Sequence, residues 1–342
     1  GNAGESLYVE DVFSTYLYAG TGAAKTITNG IDLAGEGGLV WVKNRTSAAS
    51  HVLAREPSRS MYSDLTDAES TYTGFVSAYN SDGFSLGDSS NVNETSADMV
   101  AWTFREAEKF CSIVTYTGNG TAGRTVSHNL GSVPAVMIVK STTNGAYNWM
   151  VYHQSLGNTN YLRLNETTQT LATAGAWNNT TPTDSEFTLG GGSVTNGNGE
   201  SFVAYLFASD AGGFGDDDEN IIKCGSYTGN GSADGPTINC GFEPQWLLIK
   251  NTSDGGNWVL MDAMRGMPVG DEATVLLPNA NGDESGYANL WGVDLQATGF
   301  KVNVSQIQLN QSGGTMVYIA IRRPMKTPEA GTEVLAIDTS TS

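Results

Sequence analysis

The sequence is poor in positive charge. Lysine and arginine number 17 against 36 aspartates and glutamates, so the formal net charge is −19 over 342 residues. Proteins that hold the phosphate backbone of nucleic acids do so with clustered lysine and arginine. This charge balance therefore excludes nucleic acid as an expected partner.

Cysteine and long apolar runs are scarce as well. Cys111, Cys224 and Cys240 are too few and too scattered for a disulfide framework or a zinc site. The longest apolar runs, such as residues 135–139 and 246–249, fall short of the roughly 18 residues that span a bilayer. Residues 1–10 contain no signal-peptide pattern and no initiator methionine, which is typical of a fragment or a processed product. We expect no cofactor, no metal ion and no membrane insertion.

Glycine and aromatic residues are abundant instead. There are 42 glycines, about 12% of the chain, where about 7% is usual, and aromatic residues make up 9%. Short runs rich in valine, isoleucine, threonine and aromatic residues alternate with clusters of glycine, asparagine, aspartate and serine. No long stretch has helical spacing. This pattern predicts an all-β protein of short strands joined by turns.

An internal repeat divides the chain into three. The motif Tyr-Thr-Gly-Asn-Gly at residues 116–120 recurs at 227–231, and a degenerate copy lies at 18–22. Each copy leads into an apolar run that ends in a lysine: Lys43, Lys140 and Lys250. Each third of the chain closes on an apolar strand that an asparagine precedes: Asn93, Asn196 and Asn310.

The repeat predicts three tandem antiparallel β-sandwich repeats of about 100 residues, with a jelly-roll or lectin-like fold. The apolar run before each lysine is continuous, which indicates a central strand buried on both faces. The predicted divisions are an N-terminal arm at 1–13, repeats at 14–108, 109–212 and 213–325, and a C-terminal arm at 326–342. That last arm would lead to a further domain in a longer protein.

Several motifs have a functional and a structural interpretation. Residues 118–123 match G-x-G-x-x-G, but a strand follows them, so a hairpin turn explains them better than a dinucleotide site. The acidic run Asp216–Glu219 lacks the alternation of a calcium-binding loop and is interpreted as a solvated linker. His51, His128 and His153 belong to no catalytic or metal-binding motif.

Two tryptophans are the candidate ligand contacts. Trp177 and Trp291 lie in stretches rich in glycine and asparagine, where an exposed ring would stack on a sugar face. An aromatic residue, Phe75, stands at a similar offset in the first repeat and favours packing in the core or at an edge. The sequence leaves both interpretations open.

Longer segments resemble a known family. They are found at residues 9–18, 35–45, 80–87, 116–120, 128–134, 243–250 and 318–326. These segments are similar to a repeat domain of tailed-phage virion proteins, which is common in marine phages and usually described as part of tail or tail-fibre proteins. The resemblance covers nearly the whole chain and brings no catalytic or ligand residues with it. It also implies that members often continue past the segment equivalent to residues 332–335.

The resemblance, the repeat and the lack of a catalytic motif predict a non-enzymatic virion protein. It would be a tail fibre, spike or decoration protein whose repeats form a stiff rod or platform and contact the host surface. Its expected partners are other virion proteins, further copies of itself and a glycan or protein receptor on the host. The family context favours a homotrimer. Its expected location is the virion, which is assembled in the host cytoplasm and later extracellular.

The alternative from another functional class is a carbohydrate-binding adhesin. A glycan depolymerase is the weaker form of this alternative, because it needs two carboxylates about 5–10 Å apart and no acidic pair recurs in the three repeats.

The two arms are apolar for free tails. Leu7 and Val12 lie in the first arm, and Val334 and Ile337 lie in the second. We expect at least one arm to pack against another subunit or another virion protein. The alternative is that both arms fold back on their own chain.

Overall fold

The fold consists almost entirely of antiparallel β-strands. The computed structural model describes residues 6–216, 218–267, 273–287 and 291–325. Within these ranges no α-helix exceeds four residues, and none is long and apolar enough to cross a membrane. The predicted all-β class is therefore confirmed.

The strands come in three successive sets, which we call unit 1 (residues 13–105), unit 2 (residues 111–207) and unit 3 (residues 222–322). Unit 1 and the turn before it contain α1 (Val9–Val12), β1 (Phe13–Ala19), β2 (Lys25–Thr28), α2 (Leu33–Glu36), β3 (Gly38–Asn44), β4 (Val52–Glu56), β5 (Arg59–Tyr62), β6 (Val76–Asn80), β7 (Gly83–Leu86), α3 (Ser90–Asn93) and β8 (Asp98–Arg105). Unit 2 contains β9 (Cys111–Thr117), β10 (Arg124–Ser127), β11 (Val136–Ser141), β12 (Met150–His153), the 3-10 helix η1 (Gln154–Leu156), β13 (Asn160–Arg163), β14 (Leu171–Ala172), α4 (Ala174–Trp177), β15 (Glu186–Leu189), α5 (Ser193–Asn196) and β16 (Ser201–Phe207). Unit 3 contains β17 (Ile222–Thr228), β18 (Thr237–Asn239), β19 (Pro244–Asn251), β20 (Trp258–Asp262), β21 (Val275–Leu276), the 3-10 helix η2 (Glu284–Tyr287), β22 (Val293–Gln296), β23 (Gly299–Val302), α6 (Ile307–Asn310) and β24 (Thr315–Arg322).

Each unit has one large and one small sheet. The large sheets have the strand orders β1-β8-β3-β4-β5, β9-β16-β11-β12-β13-β14 and β17-β24-β19-β20-β21. The small sheets have the orders β2-β7-β6, β10-β15 and β18-β23-β22. In every large sheet the last strand of the unit therefore lies between the first strand and the strand that carries the buried lysine. The repeat in the sequence thus corresponds to a repeat in strand order.

The lysine strands β3, β11 and β19 are buried nearly throughout. Side chains alternate between the two faces of a strand. Val40 and Val42 face the apolar cluster shared with the small sheet of unit 1, whereas Leu39 and Trp41 face a second cluster. The prediction of a central strand buried on both faces is therefore confirmed, and the second face is covered by the other units.

The three units contact one another cyclically. Two residues after each lysine, a backbone carbonyl accepts an N–H from the preceding unit in the cycle. The pairs are Glu69 N to Thr142 O (2.9 Å), Thr170 N to Thr252 O (3.1 Å) and Glu284 N to Arg45 O (3.1 Å). Because unit 3 returns to unit 1, the units form a closed ring and are not laid end to end. We call the three contacts seam 1/2, seam 2/3 and seam 3/1.

One central core fills the ring. It gathers inward-facing residues of all three large sheets, among them Trp41, Trp102, Ile138, Tyr205, Leu248 and Ile319. Trp149 donates through Nε1 to Tyr62 O at 3.0 Å across seam 1/2, and Trp258 donates to Arg163 O at 2.9 Å across seam 2/3. The equivalent position in unit 1 is His51, which is also buried. The large apolar area shared by the units makes each one depend on its neighbours for stability.

The Tyr-x-Gly-x-Gly motif is a structural clamp. Tyr116 donates through its hydroxyl to Thr195 O at 2.7 Å, and Asn196 Oδ1 accepts the N–H of Asn119 at 2.9 Å. Gly118 has no space for a Cβ, which would lie 2.1 Å from Gly197 O, and Gly120 has φ +68°. The equivalent residues make the same two bonds in the other units: Tyr18 and Asn93 in unit 1, and Tyr227 and Asn310 in unit 3. A strand follows the motif, as expected for a turn and not for a dinucleotide site.

The described part of the N-terminal arm packs against its own chain. Val9 and Val12 are fully buried in the central core. Leu7 O accepts the N–H of Gly215 at 2.7 Å, and Glu10 Oε1 accepts the N–H of Met325 at 2.8 Å. For residues 6–12 the alternative interpretation is therefore the one observed. The C-terminal arm, residues 326–342, lies outside the described residues.

Candidate functional site

A polar cleft of about 670 Å³ lies at seam 1/2. Its unit 1 wall is formed by Arg55, Glu56, Arg59 and Glu69. Its unit 2 wall is formed by Thr115, Tyr116, Thr117, Thr142, Thr143, Ser201 and Phe202. The cleft is thus composed of charged groups on one side and mainly hydroxyl groups on the other.

A short turn in unit 1 leaves room for the cleft. Only Pro57 and Ser58 connect β4 to β5, and Ser58 has φ +61°, as tight hairpins require. In unit 2 the corresponding connection is residues 154–159 and includes η1, which packs on β17. Gln154 Nε2 there donates to Cys224 O at 2.7 Å. The space that is open at seam 1/2 is therefore occupied at seam 2/3.

The charged wall is a fixed network of two guanidinium and two carboxylate groups. Arg55 binds Glu69 bidentately, with Nε to Oε1 at 2.6 Å and Nη2 to Oε2 at 3.1 Å. Arg55 Nη1 also lies 2.7 Å from Glu56 Oε1, and Arg59 Nη1 lies 3.2 Å from Glu69 Oε2. Paired planar groups of this kind fix both distance and orientation. The two positive and two negative charges cancel.

The four charged side chains of this wall differ in their exposure to solvent. The Glu69 side chain is 4% exposed, whereas those of Arg59 and Glu56 are 47% and 48% exposed. Glu69 and Arg55 therefore form the inner, immobilised part of the wall. Arg59 and Glu56 present their polar atoms to solvent at the mouth of the cleft.

The Arg55 guanidinium is held in its charged form, and one buried hydroxyl near it has no hydrogen-bond partner. Burial alone lowers the pKa of Arg55, but the hydrogen bond and charge of Glu69 outweigh it, so the pKa is raised overall. The Tyr205 hydroxyl is buried without a hydrogen-bond partner, and Arg55 and Glu69 act on it electrostatically. Burial raises the pKa of Tyr205, so this phenol stays neutral. A neutral, unpaired hydroxyl thus adjoins the inner end of the charged wall.

The hydroxyl wall follows from the alternation of β9. Thr115 and Thr117 are exposed, and Tyr116 between them points into the core. Thr143 Oγ1 accepts the N–H of Ser201 at 3.1 Å, which ties the loop after β11 to β16. Each hydroxyl of this wall can donate and accept a hydrogen bond. Together the two walls can recognise a polar ligand that carries both donors and acceptors.

The two tryptophans predicted to contact a ligand do not line the cleft, and both are buried. Trp177 is 0% exposed, donates through Nε1 to Asn160 O at 3.0 Å and packs edge-on to Tyr152. Trp291 is 2% exposed. Neither ring offers a face to a sugar, and neither lines the cleft. Their positions correspond to the packing interpretation.

The histidines and cysteines are also packed into the structure. His51, His128 and His153 are buried, and burial lowers the pKa of His153 to about 4. The three cysteines are buried and form no disulfide, and burial raises the pKa of Cys240 to about 12. In the part of the chain that the structure describes, no group of three or more His, Cys, Asp or Glu side chains could hold a metal ion.

The acidic run at 216–219 takes part in contacts within the chain. Asp216 accepts the hydroxyl of Tyr8 at 2.9 Å, and Glu219 pairs with Arg322 at 2.7 Å. Asp218 accepts the N–H of Gly213 at 2.5 Å. Residue 217 lies outside the described residues. The described part of this run thus holds the turn between units 2 and 3 in place.

Sequence reasoning missed Arg55, Arg59 and Glu69. Arg55 stands two residues after the core residue Leu53, at a position occupied by His153 in unit 2 and Asp262 in unit 3. Three different ionisable residues at one inward position of the repeat are the signal that would have found Arg55, whereas Arg59 and Glu69 have no such signal. Their grouping depends on the pairing of units 1 and 2, which the sequence does not state.

One family model matches nearly the whole chain. The model describes a domain of unknown function, DUF7483, and it matches residues 9–324. The chain belongs to this family. The match begins at α1 and ends just beyond β24, so one family domain comprises all three units and the turn packed against them. Neither the curated proteins nor the solved structures include a match to the chain.

Proposed function

We propose that the protein is a non-enzymatic structural component of a phage virion, namely a tail fibre, spike or decoration protein that contacts the host surface. The observation that carries this proposal is the closed ring of three units around one core. A ring with a shared core is a rigid block with several outward faces, which suits a load-bearing or display role. The resemblance to tailed-phage virion proteins points in the same direction.

We further propose that each unit is an antiparallel β-sandwich of the jelly-roll or lectin-like type. In unit 1, Val40 of the large sheet and Phe84 of the small sheet share one apolar cluster. In unit 3, Ile249 and Phe300 share another. Two sheets that enclose an apolar layer are the basis of a sandwich. A superposition of the three units on an experimental structure tests the repeat.

The proposed partners are other virion proteins, further copies of this chain and a receptor on the host surface, with a homotrimer as the proposed assembly. The proposed location is the virion, after assembly in the host cytoplasm. With residues 6–12 packed against their own chain, the C-terminal arm is the remaining candidate for an assembly element. Deletion of residues 326–342 followed by light scattering tests it, and an unchanged oligomeric state together with unchanged incorporation into particles would contradict it.

Mass spectrometry of purified particles tests the proposed location. We expect the chain to co-purify with particles through a density gradient at a fixed ratio to the capsid protein. Its absence from purified particles would contradict the proposal. Labelled antibodies seen by electron microscopy would then place it in the tail or on the capsid.

A carbohydrate-binding function is the second candidate, and the cleft at seam 1/2 is the observation that favours it. An adhesin of this kind would bind a glycan, and a depolymerase would cleave it. Glycan arrays test binding, and release of reducing sugars tests cleavage. Turnover by the purified chain would contradict the non-enzymatic proposal.

A further inference from the structure

We infer that the cleft at seam 1/2 binds a neutral oligosaccharide. This inference rests on the carbohydrate-binding candidate function and gives it a site and a ligand class. It places the site on Arg59, Glu56 and the threonines of β9, not on the buried tryptophans.

The shape of the polar groups fits sugar hydroxyls. Adjacent ring hydroxyls form a pair of donor–acceptor groups that a planar two-pronged side chain can contact together. The Arg59 guanidinium offers forked N–H donors, and the Glu56 carboxylate offers two acceptors, each about half exposed. Thr115 and Thr117 present further hydroxyls on the opposite wall. A ligand between the walls would find donors and acceptors on both sides.

The charge of the cleft selects against ions. Two arginines and two glutamates cancel, and the carboxylates already pair with guanidinium groups. A cation would have to displace those pairs. An anion would enter the field of a chain with net charge −19. A neutral polyhydroxylated ligand meets neither penalty.

Size and rigidity agree with this ligand class. A volume of about 670 Å³ lies within the roughly 300–1,000 Å³ of small-molecule sites. The bidentate Arg55–Glu69 pair holds the inner wall before a ligand arrives, so little ordering is needed on binding.

The repeat supplies matched control positions. Thr117 and Thr228 each follow the motif tyrosine of their unit, on β9 and β17, and both are exposed. Thr117 lines the cleft and Thr228 does not. Thr115 and Ser226 each precede the motif tyrosine of their unit and are exposed, and of the two only Thr115 lines the cleft. A substitution and its control therefore change the same type of strand position.

The experiment measures binding to an array of neutral tri- and tetrasaccharides of hexoses and N-acetylhexosamines, with uronic-acid-containing counterparts. The full chain is compared with Thr117→Val and the blocking variant Thr115→Trp, and with the controls Thr228→Val and Ser226→Trp. Thermal unfolding checks that each variant is folded. We expect the wild type to bind one or more neutral glycans. The cleft variants should weaken that binding at least about tenfold, or about 1.4 kcal/mol, while the controls keep it.

Any other result would overturn the inference, and it would show whether the site, the ligand class or the carbohydrate-binding function is wrong. Binding that all four variants retain, or that the controls lose equally, would overturn the site but leave the carbohydrate-binding function intact. Binding of acidic glycans alone would overturn the ligand class. If the wild type binds no glycan of either type, both the inference and the carbohydrate-binding candidate fail. The virion proposal is tested separately by particle composition.

Discussion

Asn196 is fully buried and its side chain holds three backbone groups, one of them in a fully buried hydrogen bond. Its Oδ1 accepts the N–H of Asn119, and its Nδ2 donates to Thr121 O and Gly190 O, all at 2.9 Å. A buried group that loses its partner costs about 1–3 kcal/mol. This explains why an asparagine stands before the last strand of every unit.

Asn196→Ala should lower the free energy of unfolding by about 2–4 kcal/mol, because it leaves several of these groups unsatisfied. Urea unfolding measures the change. Asn198→Ala, at an exposed position two residues away, is the control and should change the free energy by less than about 0.5 kcal/mol. Equal effects of the two substitutions would contradict the stabilising role of Asn196.

The buried lysines make stability depend on pH at alkaline values. Lys140 is fully buried and donates through Nζ to Ser141 O at 2.9 Å. Burial lowers its pKa from 10.5 to about 8. Between these values the unfolded chain holds a proton that the folded chain has released, so the free energy of unfolding rises with pH.

Relative to Lys140→Met, the wild type should gain up to about 3 kcal/mol of unfolding free energy between pH 7.5 and pH 10.5. The difference between the two proteins isolates this lysine from tyrosines and cysteines, which also titrate in the range. Chemical unfolding at several pH values measures it. Parallel curves for the two proteins would show that Lys140 titrates alike in both states.

The three seams share the same backbone hydrogen bond but differ in the polar side chains that meet there. Arg55, His153 and Asp262 occupy one position of the repeat, each near the end of the fourth strand of its large sheet. Arg55 joins the charged wall of the cleft, and His153 Nε2 lies 3.3 Å from Tyr318 O. Asp262 Oδ2 accepts the indole N–H of Trp102 at 3.0 Å. Distinct polar pairs would disfavour wrong pairings of similar units.

His153 should make seam 2/3 sensitive to acid. Burial lowers the pKa of His153 from 6.5 to about 4, so the folded chain holds it neutral while the unfolded chain takes up a proton. The stability it contributes is therefore present above pH 6.5 and is lost as the pH falls towards 4. His153→Gln should reduce the loss over this window by up to about 3 kcal/mol. Thermal unfolding between pH 4 and pH 7 measures it, and an equal loss in both proteins would argue against this histidine.

Part of this arrangement of strands could be predicted from the sequence. The all-β class follows from the short apolar runs between turn residues. The threefold repeat could be predicted because the motif tyrosines, the lysines and the asparagines recur in the same order. The apolar run ending at Lys43 indicated two covered faces, but nothing local identifies what covers the second. The cleft depends on a difference in turn length, with Pro57 and Ser58 in unit 1 against residues 154–159 in unit 2. The burial of Trp177 depends on β12 and β13, which lie before it in sequence.

Taken as a whole, one chain contains three similar units that close into a ring. Each seam joins different surfaces of two similar units, which is a heterologous contact. Heterologous contacts give rings when they close and open filaments when they do not. Here three units and two short connections close the ring inside one chain. Seam 3/1 is the contact that joins the first unit to the last.

Seam 3/1 carries a buried ion-pair network. Arg265 Nε lies 2.5 Å from Asp262 Oδ2, and both side chains are fully buried. Arg265 Nη1 reaches Glu284 at 3.1 Å, and Glu284 in turn pairs with Arg45 of unit 1 at 2.9 Å. The Arg265 guanidinium also lies over the ring of Trp102, 5.3 Å from its centre. The network thus connects unit 3 to unit 1 through the two fully buried charges of Asp262 and Arg265 and the two largely buried charges of Glu284 and Arg45.

Asp262→Ala should open the ring at seam 3/1 and let copies of the chain associate. It leaves Arg265 without its closest counter-ion and Trp102 without its acceptor, and breaking one side of a buried pair destabilises by about 3–5 kcal/mol. The surfaces of units 1 and 3 freed in this way are complementary, so a second chain can pair with them. We expect light scattering to show species heavier than the wild type, with a mass that increases with protein concentration, where the wild type keeps one mass. The control is Glu69→Gln at seam 1/2, because units 1 and 2 are joined by the short segment 106–110, which keeps their surfaces at high effective concentration. That variant should keep the mass of the wild type, and an Asp262→Ala protein that also keeps it while remaining folded would show that the ring stays closed without this network.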